Sequence, residues 1–282
     1  MHAELKGLGD ISETLFLPFY ARVIESRSQR PILKDPAAEA LADAFLPLFY
    51  HSERPLYRHF SRGKMNPLMV KALVLRTRYF DQLTRHYLQR FPQGQVVSLG
   101  VGLDTRFSRC DNGQATWVEL DLPPVMALRA QLFESAPRTT RLTQSVLEHL
   151  WFEALPPCSV PRLFLAEGLF MYLPETELFE LLNAMQTAFT ESELVCEMAS
   201  HYFVKNWGWV IRNILQNHFH MRDQAAFHSG LGSAQELEKR VAGLKVLDEW
   251  SYLDEKQELK MLSWLRLIPL IRRFMWSLHS RF

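Results

Sequence analysis

The segment Gly100-Val101-Gly102-Leu103-Asp104-Thr105-Arg106 follows a short apolar run, Gln95 to Leu99, and its residue types suit a ligand cradle. Glycines after a first strand let the backbone approach a bound molecule closely, and the next helix presents bare N–H groups to it. A dinucleotide fingerprint has a third glycine where this chain has Thr105, which speaks against a nicotinamide cofactor. Taken alone, Gly-x-Gly is also the pattern of an ordinary tight turn. Glu119 and Asp121 close a second run, Ala115 to Leu120. An acid at that place accepts hydrogen bonds from a ribose hydroxyl pair, and Asp121 could equally cap the helix beginning at Pro123-Pro124. Turn and acid together point to a nucleoside-bearing ligand. Glu167 directly follows the run Arg162 to Ala166 and precedes Gly168 to Leu173, so it is expected to be buried. A buried carboxylate needs a cationic or hydrogen-bonding partner. Tyr172 follows the fourth run at the expected sheet edge, or packs as a core aromatic. His201, after the run Glu193 to Met198, is the best-placed candidate base, with a structural role as the alternative.

These residues must be held by alternating strands and helices. Helical periodicity covers Ile11 to Ser26, with Ser12 as a candidate cap, Pro36 to Phe49, capped by Asp35, and the long amphipathic stretch Pro67 to Phe91. Strands are expected at Gln95–Leu99, Ala115–Leu120, Arg141–Val146, Arg162–Ala166 and Glu193–Met198, with helices at Pro124–Phe133 and Pro174–Phe189 between them. Short buried strands alternating with helices imply a mainly parallel sheet covered on both faces. Leu244–Trp250 and Lys260–Leu267 would add two edge strands. The fold class is therefore α/β, a Rossmann-like, seven-stranded, mostly parallel sheet with helices on both faces. Residues 1–92 would form an N-terminal helical extension or lid, and 93–282 the ligand-binding domain, with an aromatic insertion after strand five (201–230). Phe16, Phe19 and Tyr20, together with Tyr202, Phe203, Trp207 and Trp209 of the insertion, could grip a planar acyl group or bury against each other. Arg22 and Arg27 could pair with a substrate carboxylate or face water. Trp264 to Phe282 reads as a last strand and a closing helix flanking Pro269, with a membrane-surface helix as the other reading.

The blocks VVSLGVGLDTRFSR, WVELDLP and LFLAEGLFMYLP, with ISETLFLPFYARVIESR and KDPAAEAL ahead of them, resemble the leucine carboxyl methyltransferase family, the bacterial polyketide O-methyltransferase-like branch above all. The resemblance spans roughly residues 11–200, and the order of several blocks makes it far more specific than Gly-x-Gly. It implies a class I fold that binds S-adenosylmethionine and releases S-adenosylhomocysteine. Carried over residue by residue, it implies that Lys34 and Arg76 hold the methionine carboxylate; Arg78, two places on, is the alternative register. It places Gly100 in the cofactor turn, Asp121 at the ribose, and Glu167 near the sulfonium and amino group; Gly102 and Asp104 of the same turn, and Glu119 unless it is a strand-end charge in solvent, complete the expected cofactor-binding set. At the adenine, where some members have Asp-Leu, this chain has Ser145-Val146. Tyr172 would border the methyl site. The implied reaction is methyl transfer to a carboxylate or phenol of a small molecule such as a polyketide. A carboxylate, with a pKa near 4, arrives deprotonated, whereas a phenol near 10 benefits from a base. A nicotinamide-dependent oxidoreductase and a non-catalytic cofactor-binding protein are the alternatives.

Composition bounds the rest. The chain has 282 residues, 48% apolar and 22% charged, an ordinary globular mixture. A formal net charge of +1 supplies no field for nucleic acid. Three cysteines without a CxxC argue against zinc and disulfides. Neither a signal peptide nor a membrane span is expected, and the reading is a cytoplasmic enzyme.

Overall fold

Runs of Val, Leu and Phe form the centre of a seven-stranded sheet because they can be buried on both faces at once. The computed structural model describes residues 14–282 apart from 51–57, 59, 61, 64, 207–226 and 260–262. In chain order the strands are β1 (Gln95–Leu99), β2 (Thr116–Asp121), β3 (Thr139–Thr143), β4 (Leu163–Ala166), β5 (Glu193–Ala199), β6 (Lys245–Trp250) and β7 (Met275–Arg281). They lie in the order β3-β2-β1-β4-β5-β7-β6. All neighbouring pairs from β3 to β5 are parallel, and β7 runs antiparallel to both β5 and β6. The order reverses between β1 and β4, the switch point at which open α/β sheets bind ligands beyond the carboxyl ends of the strands.

Helices α1 (Phe16–Ser26), α2 (Pro36–Tyr50) and α3 (Pro67–Arg90) precede the sheet. Asn66 caps α3 by accepting from Leu68 N and Met69 N, and Pro67 occupies the first turn, where its missing N–H costs nothing. Leu75, Tyr79 and Tyr87 of α3 pack with Val96, Trp117, Leu163 and Val195 on one face of the sheet. The short α4 (Arg106–Cys110) follows the glycine turn, and α5 (Pro123–Leu132) follows β2. On the opposite face, Trp151 of α6 (Trp151–Ala154), Leu178 to Met185 of α7 (Glu175–Ala188) and Leu237 of α8 (Ala234–Arg240) close over Val97, Val118, Phe164 and Leu194. A one-turn α9 (Pro269–Arg272) leads into β7.

The second late strand differs from expectation. Ser263–Leu267 is a 3-10 turn, and residues 260–262 lie outside the described residues. The strand is Met275–Arg281 instead. It is inserted between β5 and β6, so Trp276 and Leu278 join the core while Ser277 and His279 face the other way. Pro269 opens α9 ahead of this strand, so the helix precedes the strand it was expected to flank. The third strand is also shifted, ending at Thr143, so that Gln144 and Ser145 lead into a 3-10 turn, Val146–Glu148, at the sheet edge. Ser12, the candidate cap, lies outside the described residues, as do Trp207 and Trp209. Among the described residues no helix is long and apolar enough to cross a membrane.

Phe16, Phe19 and Tyr20 are buried in a cluster with Phe60, Leu103, Val125 and Leu128. They form a helical layer against the sheet instead of a grip on a substrate. Polar contacts lock this layer. Asp35, fully buried, accepts from Arg22 Nε at 2.9 Å, Arg109 Nη1 at 2.8 Å and the Thr105 hydroxyl, and caps α2 through Ala38 N at 3.1 Å. Removing one partner of a buried pair strands the other charge, at about 3–5 kcal/mol. Asp35→Ala is therefore expected to lower stability by about that amount, read as a shift of the urea midpoint. A change below about 1 kcal/mol would show that Arg22 and Arg109 find other partners.

Candidate active site

A cavity of about 570 Å³ opens at the carboxyl ends of β1, β2 and β4, within the size range of small-molecule sites, about 300–1,000 Å³. Its floor is the glycine turn. Gly100 and Gly102 adopt φ of +64° and +50°, a region that disfavours other residues. A Cβ on Gly100 would stand 3.0 Å from Leu169. Asp121 stands beside the turn and accepts from Gly102 N at 2.8 Å and from Leu122 N at 2.7 Å. A carboxylate has about four acceptor positions, so two remain for a ligand. Burial pushes its pKa up, and the two backbone donors with Arg129 only partly offset that. Gln144, Ser145 and Val146 line the next part of the wall. The Ser145 oxygen accepts from Leu147 N at 3.3 Å, which leaves its hydroxyl hydrogen to donate.

The opposite wall is charged. Glu167 accepts from Arg76 Nε at 2.9 Å, the Thr77 hydroxyl at 3.0 Å and Arg106 Nη2. Burial pushes this carboxyl up, but the Arg76 and Arg106 guanidiniums outweigh it and hold it below its ordinary value. Arg76 Nη1 also donates to Glu197 at 2.6 Å, and burial leaves Glu197 with a raised pKa despite that partner. Asp104 pairs with Arg106 and Arg109 and is depressed; burial again opposes and is outweighed. Arg22 lines the cavity with Nε on Asp35 and Nη2 on the Leu103 carbonyl at 2.7 Å. Its Nη1 has no hydrogen-bond partner among the described residues. The remaining walls are apolar: Leu15, Leu17, Pro18, Met69, Leu73, Leu169, Phe227, Phe274 and Met275, with Tyr172 among them. Tyr172 meets Phe227 edge to face at 5.3 Å, and burial pushes its phenol up to about 12.

The cavity thus joins a polar half, lined by the glycine turn, Asp121 and Glu167, to an apolar half. The model of the leucine carboxyl methyltransferase family matches residues 16–186. The chain belongs to this family. It is an S-adenosylmethionine-dependent O-methyltransferase. Its curated relatives include the tetracenomycin polyketide synthesis O-methyltransferase TcmP of Streptomyces glaucescens, 28% identical over 88% of this chain and 85% of that protein. Another is the S-adenosyl-L-methionine-dependent methyltransferase dpfgK of Gibberella zeae, 26% identical over 90% and 86%. A DUF574 family protein from Streptomyces avermitilis shares the fold, with a TM-score of 0.55 at 14% identity, covering 93% of this chain and 96% of that one.

Against the pattern expected from the leucine carboxyl methyltransferase family, the structure brings Arg76, Gly100, Gly102, Asp104, Asp121, Ser145, Val146, Glu167 and Tyr172 to one cavity. Lys34, Glu119 and His201 lie outside its lining. Lys34 is exposed and its ammonium donates to the Ser26 carbonyl, because Asp35 beside it is drawn inward by two arginines. Glu119 is held by Arg129 and Arg141 on the flank of β2. His201 starts a helical stretch at 201–206, and its backbone N–H bonds the Leu231 carbonyl at 3.1 Å. Arg78 pairs with Glu255 and Glu258, whereas Arg76 lines the cavity. Arg27 pairs at the surface with Glu39 and Asp43. Reading the sequence did not single out Arg106, Gln144 or Glu197. A charged residue inside an apolar run was the available signal for Glu197, in ELVCEM.

Glu167, Asp104 and Asp35 all have depressed pKa values, so each stabilises the fold above its unfolded value, 3.8 for Asp and 4.5 for Glu. That stabilisation is lost as pH falls through the folded values. Asp121 and Glu197, raised, act with the opposite sign and give up stability as pH rises past the same range. Burial pushes Glu193 up, but His279 and Arg90 outweigh it and depress this acid as well, so four depressed acids stand against two raised ones and the melting temperature is expected to fall steadily below about pH 4. Thermal denaturation followed by circular dichroism checks this; a flat profile from pH 5 to 3 would contradict it.

Proposed function

We propose that this enzyme transfers the methyl of S-adenosylmethionine to a carboxylate of a small apolar molecule, giving a methyl ester. One observation carries the choice of acceptor. Among the described residues lining the cavity there is no histidine or lysine, the Asp104 and Glu167 carboxylates are ion-paired, and Asp121 is bound to two backbone N–H groups. The Tyr172 phenol, near 12, stays protonated at neutral pH. Such a site serves an acceptor that arrives already ionised, as a carboxylate does and a phenol does not.

The residues present suit the cofactor. Bound there, S-adenosylmethionine would supply a methyl made electrophilic by its sulfonium. Asp121 takes the ribose hydroxyls with its two remaining acceptor positions. Gly100 and Gly102 let the backbone come close. Gln144, Ser145 and Val146 receive the adenine, with the Ser145 hydroxyl as a neutral donor. Glu167, positioned by Arg76 and Arg106, faces the ammonium. The role expected of Lys34 falls to Arg22, whose Nη1, like Nη2 of Arg76, has no hydrogen-bond partner among the described residues and is available for the amino-acid carboxylate. Leu169, Tyr172 and Phe227 exclude water from the line of transfer and hold the acceptor in place, which is most of what an in-line displacement requires of a protein.

Asp121→Ala and Arg22→Met are each expected to weaken S-adenosylhomocysteine binding at least tenfold by calorimetry, while Lys34→Ala leaves it within twofold. Equal losses for Arg22→Met and Lys34→Ala would return the carboxylate role to the lysine. Labelled-methyl transfer into small-molecule extract decides the acceptor. Mild alkali is expected to release the label as methanol, and alkali-stable label would instead identify a phenolic ether.

A further inference from the structure

Next to the cofactor cavity is a second one of about 370 Å³. The two share Met69, Leu73, Arg76 and Met275, so a partition of four side chains separates them. Two of the four are methionines, which re-pack readily around a ligand. The second cavity follows α3 from Arg76 back to its cap, Asn66, a stretch about 15 Å long. Leu68 and Ala72 give it further apolar wall, and Tyr252 stands across from them.

The polar groups of this space are unusual in kind. Arg76 and Glu197 neutralise each other. The Asn66 oxygen is committed to capping α3, which leaves its amide N–H groups. The Tyr252 hydroxyl has no hydrogen-bond partner among the described residues, and burial keeps the phenol far from ionising. Apart from Arg76 Nη2, the donors left uncommitted carry no charge: the half-buried Tyr252 hydroxyl and the exposed Asn66 amide. The Tyr252 hydroxyl, partly withdrawn from water, gains free energy where an acceptor atom meets it.

We propose that the second cavity is the distal acceptor subsite: it takes the far end of an elongated apolar carboxylic acid that carries an uncharged carbonyl or hydroxyl oxygen there. This rests on the carboxylate reading above and extends it to the shape of the substrate. The acid's carboxylate lies in the cofactor cavity, its body passes between Met69, Leu73 and Met275, and its distal oxygen accepts from Tyr252 or Asn66. Ala72, small and half-buried, leaves room for that body.

The full-length enzyme is assayed with three probes: benzoic acid, anthracene-2-carboxylic acid and anthraquinone-2-carboxylic acid. The expected kcat/KM is highest for the anthraquinone acid, which has both length and distal oxygens. Ala72→Phe should lower kcat/KM for the two long acids at least tenfold and leave benzoic acid within twofold. Tyr252→Phe should raise KM about tenfold for the anthraquinone acid, keep its kcat, and leave anthracene-2-carboxylic acid unchanged. Unchanged S-adenosylhomocysteine affinity in both variants shows that the cofactor cavity is intact. Equal losses on short and long acids, or no loss on any, would overturn the subsite. Should no acid accept methyl, the carboxylate reading falls and the subsite is judged by binding. The anthraquinone acid must then bind the S-adenosylhomocysteine complex at least tenfold more tightly in the native enzyme than in Ala72→Phe, and equal affinity overturns it.

Discussion

A continuous chain of ion pairs runs beneath the glycine turn from α1 to β5. Arg22 meets Asp35, Asp35 meets Arg109, Arg109 meets Asp81, Asp81 meets Arg106, Arg106 meets Glu167, and Arg76 joins Glu167 to Glu197. Asp104 adds a fifth carboxyl to Asp35, Asp81, Glu167 and Glu197, against the four guanidiniums. Arg85 reaches Asp81 only at 3.9 Å and is half exposed. Burying charge is costly, and such a chain holds only if every member is met. Burial favours the neutral form of Glu197, which eases the excess of one carboxyl group. Arginine suits this role because its planar fork serves several carboxylates at once, two at Arg76 and three at Arg109.

That chain also explains how the N-terminal helices take part in the site. Asp35 ties α1, through Arg22, to Thr105 and Arg109 after the turn. The turn is therefore braced from outside the sheet, and Leu15, Leu17 and Pro18 are brought over the cavity. The polar part of the cavity lies where the strand order reverses, and the apolar part lies under α1 and beside β7. Methyl transfer needs this division. One half orients a charged donor, and the other keeps water away from the acceptor.

Local signals carried much of the site. Gly100 and Gly102 stand at positive φ, as a close backbone approach demands, and Asp121 and Glu167 end strands that read plainly as apolar runs. Their directions follow from strand geometry, which sequence spacing encodes. Lys34, Glu119 and His201 lie outside the cavity lining for a shared reason. Whether a charged side chain turns toward a cavity depends on which partners reach it from other elements. Ser26 takes Lys34, Arg129 and Arg141 take Glu119, and the turn into residues 201–206 carries His201 away. Arg22 is the converse. On a helix it could face a substrate carboxylate or water, and Asp35 and the Leu103 carbonyl draw it inward.

The amino-acid order by itself determined the alternation of strands and helices, the tight turn at Gly100 to Gly102, and the acids at the strand ends, because propensity, burial pattern and turn chemistry act over a few neighbours. Tertiary structure alone decided that the last strand enters between β5 and β6, since edge and interior strands of similar composition differ only in what lies beside them. It also decided the pairing of arginines with carboxylates and the cavity along α3. Both depend on contacts between residues dozens of positions apart, whose formation is set by how whole elements pack.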